Sequence, residues 1–183
     1  MSVTQISRLI GDGTKDTVRK PKDFYPTPTE AINVILEREE FEGDIWEPAC
    51  GDGAISEHLK IYYKDVFSSD IHDYGYPMER KGDFLKITDK IVDNIVTNPP
   101  FNISTEFTLH ALECSRKKVA IFNKLTFLEG KARREKLFSR HLLKTVYIFS
   151  GRLGFGEYSS GMMAFAWFVF DKEFYGDPVI KWV

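Results

Sequence analysis

The chain has 183 residues, 43% of them hydrophobic and 14% aromatic, which suffices for one domain with a sizeable core and excludes two of ordinary size. Its formal net charge of -2 neither demands nor excludes nucleic acid, and two cysteines, Cys50 and Cys114, are too few for a disulfide framework and lack metal-ligand spacing, as expected in a reducing cytoplasm. No basic, apolar, small-residue leader opens the sequence, and its longest apolar run, Met162 to Phe170, is far below the roughly 20 residues of a spanning helix, so a soluble protein with no membrane role is expected.

Residues 1–20, with Gly11 and Gly13 around Asp12, are expected to be flexible, ahead of a single domain over 21–183. Thr27-Pro28-Thr29-Glu30 predicts a helix start, with Thr27 as N-cap, Pro28 in the first turn and Glu30 closing a capping box. Asp44-Ile45-Trp46 then predicts a strand, Glu47-Pro48-Ala49-Cys50-Gly51-Asp52-Gly53 a glycine turn, and the spacing of Ala54, Ile55, His58, Leu59 and Tyr62 a helix. Val66 to Asp70 predicts a second strand and Gly82-Asp83-Phe84-Leu85 a short third. Asn94-Ile95-Val96-Thr97 predicts a fourth strand, which ends at Asn98-Pro99-Pro100-Phe101. Further strands are predicted near Val119 and Val146, a helix over 128–138, and a last strand over Met163 to Phe170 that is apolar enough to be buried on both faces. This order of elements gives an α/β, doubly wound sheet with helices on both faces.

Three features carry chemistry at the carboxyl ends of those strands. Gly51 and Gly53 allow backbone to approach a ligand closely, but Ser56 stands where a dinucleotide fingerprint has its third glycine, so a phosphate-free ligand such as S-adenosylmethionine fits better. Asp70 can accept both hydroxyls of a ribose, and Asp83 can accept from an adenine amino group while Ile71 and Phe84 sandwich the ring. At Asn98-Pro99-Pro100-Phe101, the Asn98 side-chain oxygen and the Pro99 carbonyl can each accept from one N–H of a conjugated amine, while Phe101 offers a face for a flipped base. An exocyclic amine on a nucleobase is a poor nucleophile until its delocalisation is broken, and neither acceptor needs to titrate or to hold a metal. Each feature also has a plain structural reading: prolines end strands, glycines make turns, and loop acids are solvated.

The charge is unevenly spread. Residues 116–144 hold ten Lys or Arg against only Glu129 and Glu135, and the predicted helix within them exposes Lys131, Arg133, Arg134 and Lys136, which either neutralise phosphates or form a solvated face. The loop from Gly151 to Ser160, with Arg152, Phe155 and Tyr158, is a candidate for holding a substrate strand, and equally a glycine-rich hairpin tip.

Through Phe24-Tyr25-Pro26-Thr27-Pro28, the turn from Glu47 to Gly53, Asp70, Asp83 and Asn98 to Phe101, the sequence resembles the class I S-adenosylmethionine-dependent amino-methyltransferases that act on adenine N6 in DNA. With Phe127-Leu128-Glu129-Gly130 and the run Ser160 to Trp167 it resembles their small phage and prophage members. The resemblance implies a mostly parallel sheet whose last strand is antiparallel, and S-adenosylmethionine held by Tyr25, Thr27, Glu47, Ala49, Gly51, Gly53, Asp70, Ile71, Asp83 and Phe84. Asn98, Pro99, Pro100 and Phe101 then form the catalytic turn, DNA is the substrate, and the location is the cytoplasm of a bacterium or a phage-infected host. Lys131, Arg133, Arg134 and Arg152 are candidates for contacting the nucleic acid. Beyond Phe170 only Asp171 to Val183 remains, so target recognition is expected to come from loops, an oligomer or a partner chain rather than from a separate domain, or to be weak. RNA amines and protein glutamine amides pose the same conjugation problem, and a silent cofactor-binding subunit of a nucleic-acid complex is the alternative of a different class.

Overall fold

A computed structural model describes residues 25–154 and 163–183. The apolar runs fold as strands β1 (Ile45–Glu47), β2 (Val66–Asp70), β3 (Arg80–Lys81), β4 (Val92–Thr97), β5 (Ser115–Lys124), β6 (Leu143–Ile148), β7 (Phe165–Asp171) and β8 (Val179–Trp182). Between them lie helices α1 (Thr29–Arg38), α2 (Ala54–Tyr62), α3 (Ser104–Cys114) and α4 (Lys131–Lys136). The strands form one sheet in the order β3-β2-β1-β4-β5-β7-β6-β8. All run in one direction except β7, which is antiparallel to both β5 and β6.

The strand order reverses between β1 and β4, which opens a crevice at their carboxyl ends. Glu47, Asp70, Asn98 and Lys124 therefore end, or directly follow, neighbouring strands at one edge of the sheet. The amino end of the reversed β7 brings Phe165 to the same edge, paired with Lys124.

Each sheet face has its own apolar layer. On one, Ala31, Ile32 and Ile35 of α1 and Ile55 and Leu59 of α2 pack with Val96, Phe122 and Trp167. On the other, Phe107, Ala111 and Leu112 of α3 pack with Trp46, Ile95, Ile121 and Phe168. Because it lies between both layers, β7 is buried at every position, as its unbroken apolar run requires.

Several local expectations are corrected. Pro28, not Thr27, occupies the N-cap of α1, and no side chain caps that helix; Glu30 therefore closes no capping box. The third strand is Arg80–Lys81, while Asp83 caps a 3-10 turn over Phe84–Lys86 by accepting from the Leu85 N–H. The helix expected over 128–138 is α only at Lys131–Lys136, with 3-10 turns at Leu125–Leu128 and Phe138–Arg140. The strand β8 escaped notice because Val-Ile-Lys-Trp is too short to carry a period. Residues 1–20, Phe24, the run from Ser160 to Met162, and Phe155 and Tyr158 lie outside the described residues.

Trp167 joins the reversed strand to α1: its ring is fully buried and its Nε1–H donates to the Ala31 carbonyl at 2.7 Å. Trp167→Ala is expected to destabilise the fold by about 3–5 kcal/mol. Urea denaturation would register this as a lower midpoint with an unchanged slope.

Candidate active site

A cavity opens at the crevice between β1 and β4. It is lined by Tyr25, Pro26 and Thr27, by Glu47 to Cys50, by Asp70, Ile71, His72 and Tyr74, by Asp83 to Leu85, and by Asn98 to Phe101 with Ile103 and Phe107. Five separate chain segments identified in the sequence thus meet on one surface. Among the described residues its lining includes Asp52, Asp70 and Asp83, with Glu47 buried beneath, but no Lys or Arg. Such a surface repels phosphates and favours a cationic ligand.

Asn98 follows β4 and is half-buried. Its Nδ2 donates to the Thr27 hydroxyl at 3.0 Å and to the Tyr25 carbonyl at 3.3 Å. A carbonyl can only accept, so the Tyr25 bond fixes which end of the amide is nitrogen. Thr27, freed from capping, serves here instead. What remains is Oδ1, which takes no hydrogen bond from the described residues, beside a Pro99 carbonyl that takes none either. Pro100 leads into a 3-10 turn in which the Ile103 N–H returns to the Pro100 carbonyl and the Ser104 hydroxyl donates to the Phe101 carbonyl. The turn is therefore held from both sides. The Phe101 ring lies 6.4 Å from Tyr25 at an interplanar angle of 20°, and 5.8 Å from Phe165.

Asp70 is buried, and each carboxylate oxygen accepts one backbone N–H, from Gly51 at 3.0 Å and from His72 at 2.8 Å. It pins the glycine turn to the loop after β2 and still has lone pairs for a ligand. Gly51 and Gly53 both have positive φ, 55° and 87°, but neither lines the cavity. At Gly53 a Cβ would collide with the Tyr76 ring, and φ is positive, so the packing of Tyr76 and the backbone both call for glycine there. Asp83 keeps its place on the cavity wall while capping the 3-10 turn and pairing with Lys86 at 3.3 Å. Phe84 shows the cavity only a margin: its ring packs edge-on against Trp46 and His110 and tilted against Phe107. Ile71 is half exposed, the more available apolar partner for a ligand ring.

Glu47 is fully buried and accepts from the Ser56 hydroxyl, which contacts the Ser68 hydroxyl at 2.6 Å. Burial pushes its carboxyl well above the usual carboxylate range, with Ser56 opposing and Asp52 and Asp70 adding to the rise. Burial likewise pushes the neighbouring Cys50 thiol up to about 12, so it stays protonated.

The basic candidates stand apart, for Lys131, Arg133, Arg134 and Arg152 do not line the cavity. Arg133 is occupied locally, donating to the Glu129 and Thr126 carbonyls. Arg134 borders a second, open depression with Phe138 and His141, and Lys131 pairs weakly with Glu135 at 3.9 Å. At the amino end of the sheet, Arg116, Lys117, Lys118 and Lys144 pair with Asp93, Glu42, Glu39 and Asp171. The basic stretch of sequence is not one basic face. Sequence reasoning passed over Lys124, whose only signal was a cation ending an apolar strand.

Against known proteins, no family model and no curated sequence matches this chain. Solved structures do. A modification subunit of a putative type I restriction enzyme from Vibrio vulnificus YJ016 matches 97% of this chain and 50% of its own at 16% identity, with a TM-score of 0.62. A putative RNA methyltransferase from Pyrococcus horikoshii matches 93% of this chain and 99% of its own at 17% identity, TM-score 0.64. A putative class I S-adenosylmethionine-dependent methyltransferase from Listeria monocytogenes matches 98% and 71% at 11% identity, TM-score 0.62. The chain has the class I methyltransferase fold. It spans about half the length of the type I modification subunits it matches.

The raised Glu47 carboxyl gives stability a pH dependence. An unfolded chain releases this proton near its ordinary value of about 4.3, whereas the fold retains it. The contribution is whole below that value and is lost as pH rises toward the folded value. Glu47→Gln, neutral at every pH, is expected to flatten this decline, checked by urea midpoints of both proteins between pH 5 and 8.

Proposed function

We propose that this chain transfers a methyl group from S-adenosylmethionine to the exocyclic N6 amine of adenine in DNA. The observation that carries the proposal is the Asn98 amide, whose donors are spent on Tyr25 and Thr27 so that its oxygen is left as an acceptor beside the Pro99 carbonyl. The cavity, acid-lined and without Lys or Arg among the described residues, fits a sulfonium cofactor better than a dinucleotide. Asp70 would take the ribose hydroxyls, Ile71 would lie against the adenine, and Asp83 would accept from its amino group. Tyr25, Thr27, Glu47 and Ala49 would border the methionine end. Gly51 and Gly53 contribute by shaping the turn.

When bound, the sulfonium supplies an electrophilic methyl group. The chain's own part is to make the amine a nucleophile. Asn98 Oδ1 and the Pro99 carbonyl accept its two N–H groups, which draws the nitrogen toward tetrahedral geometry and localises its lone pair. Both acceptors are fixed before substrate arrives, so little reorganisation is spent at the reaction. Phe101 stacks the extruded base. The methylated, cationic amine then sheds a proton to solvent.

A second reading, the same chemistry on RNA, is favoured by the near full-length match to the putative RNA methyltransferase. In either case we place methyl transfer in one domain over 21–183, cytoplasmic, with target recognition assisted by an oligomer or a partner chain. The type I modification subunits, also matched over only part of their length, suggest that arrangement.

Asn98→Ala is expected to lower turnover roughly 100- to 1000-fold with cofactor affinity nearly intact. Phe101→Ala should cost about 1–3 kcal/mol of substrate binding. Transfer of labelled methyl from the cofactor onto DNA, RNA and a glutamine peptide, followed by digestion of the product, decides the substrate. Full activity in Asn98→Ala would overturn the amine-activation mechanism.

A further inference from the structure

We infer that Lys124 is a substrate-binding residue that takes a backbone phosphate next to the target base, restricting the site to nucleic acid over protein amides; this rests on reading Asn98 to Phe101 as the amine-activating turn. Lys124 ends β5 and is half-buried, with its Nζ 4.6 Å from the centroid of the Phe101 ring. The placement follows from register. β4 and β5 are parallel, with Thr97 opposite Ile121, so both strands finish at the same edge and deliver the Asn98–Phe101 turn and Lys124 side by side. On its other side Lys124 pairs with Phe165, whose ring stacks on Phe122 at 5.4 Å and 8° and supports Phe101 from behind.

A purine stacking on Phe101 competes with this ammonium for the ring. The flexible four-carbon stem lets the ammonium turn from the ring toward the backbone of the same nucleotide, exchanging a cation–π contact for a charge-assisted bond to phosphate. A nucleotide supplies that anion one sugar away from its base, whereas a glutamine side chain supplies none. The position is also apart from the cofactor: Lys124 does not line the acidic cavity, so its charge is not spent there.

The test uses the full chain with S-adenosylhomocysteine and a labelled single-stranded oligonucleotide containing adenine, read by fluorescence anisotropy over a range of sodium chloride. Lys124→Met keeps the stem and removes the charge. It is expected to weaken binding roughly 10-fold at low salt and to reduce the slope of log K against log salt by about 0.7. Lys124→Arg should restore most of both, and calorimetric affinity for S-adenosylmethionine should not move. If wild type binds and methylates the oligonucleotide while folded Lys124→Met keeps the same affinity and slope, the inference is overturned and the proposed function stands. If wild type shows no salt-dependent binding and methylates only a glutamine peptide, both fall.

Discussion

The pair of hydrogen bonds from the Asn98 amide to the Tyr25 carbonyl and the Thr27 hydroxyl is the constraint on which the site depends. A side-chain amide is chemically two-ended, and its use as an acceptor requires that the donor end be occupied elsewhere. Here that occupation comes from a segment far away in sequence, just before α1. The segment is in turn held because α1 is held. Trp167 bonds the Ala31 carbonyl, while Tyr147 and Lys118 both reach Glu39 at 2.8 Å just beyond the helix. Strands β5, β6 and β7 therefore act on Asn98 through α1, although only the first of them borders β4.

Asp70 has the same double character at the other end of the cavity. Its two oxygens tie the glycine turn to the loop after β2, so the group proposed for a ribose is also a structural pin. An alanine there would remove the pin together with the proposed ribose contact, and weaker ligand binding would not by itself separate them. Asparagine is the better probe, since it keeps one acceptor for a backbone N–H while changing what a ribose hydroxyl would meet. Glu47 is the contrasting case, a buried carboxyl with no cation beside it among the described residues, held by the Ser56 hydroxyl, which in turn contacts Ser68.

The strand order and the convergence of three of the five cavity segments were legible because each strand ended on a chemically marked residue: Glu47, Asp70, or Asn98 before two prolines. The reversed β7 was legible only through the family resemblance, since burial on both faces does not report direction. What escaped was local. Thr27 looks like an N-cap in any window of sequence, and only the tertiary position of Asn98 reassigns its hydroxyl. Gly53 looks like a ligand-approach glycine, and only the Tyr76 ring shows what occupies the space. Charge clustering misled for a related reason. Residues adjacent in sequence at 116–144 pass from one end of the sheet to the other and back, so a linear run of cations is divided between structural ion pairs, a carbonyl clamp at Arg133 and Lys124 over the Phe101 ring.

That division gives the carboxyl edge of the sheet a polarity of its own. Among the described residues the cavity between β1 and β4 presents Asp52, Asp70 and Asp83 and no Lys or Arg, while one strand over, Phe101 is met by the Lys124 ammonium. A cationic methyl donor and an anionic polymer would otherwise attract each other in any orientation. On the proposed function, the acidic cavity would take the donor and Lys124 the polymer, which would leave the uncharged groups, a methyl and an amine, to meet at the turn. Neither Asn98 nor the Pro99 carbonyl carries a net charge, which fits a place where two fields of opposite sign adjoin. Hydrogen-bond direction rather than charge then selects the amine.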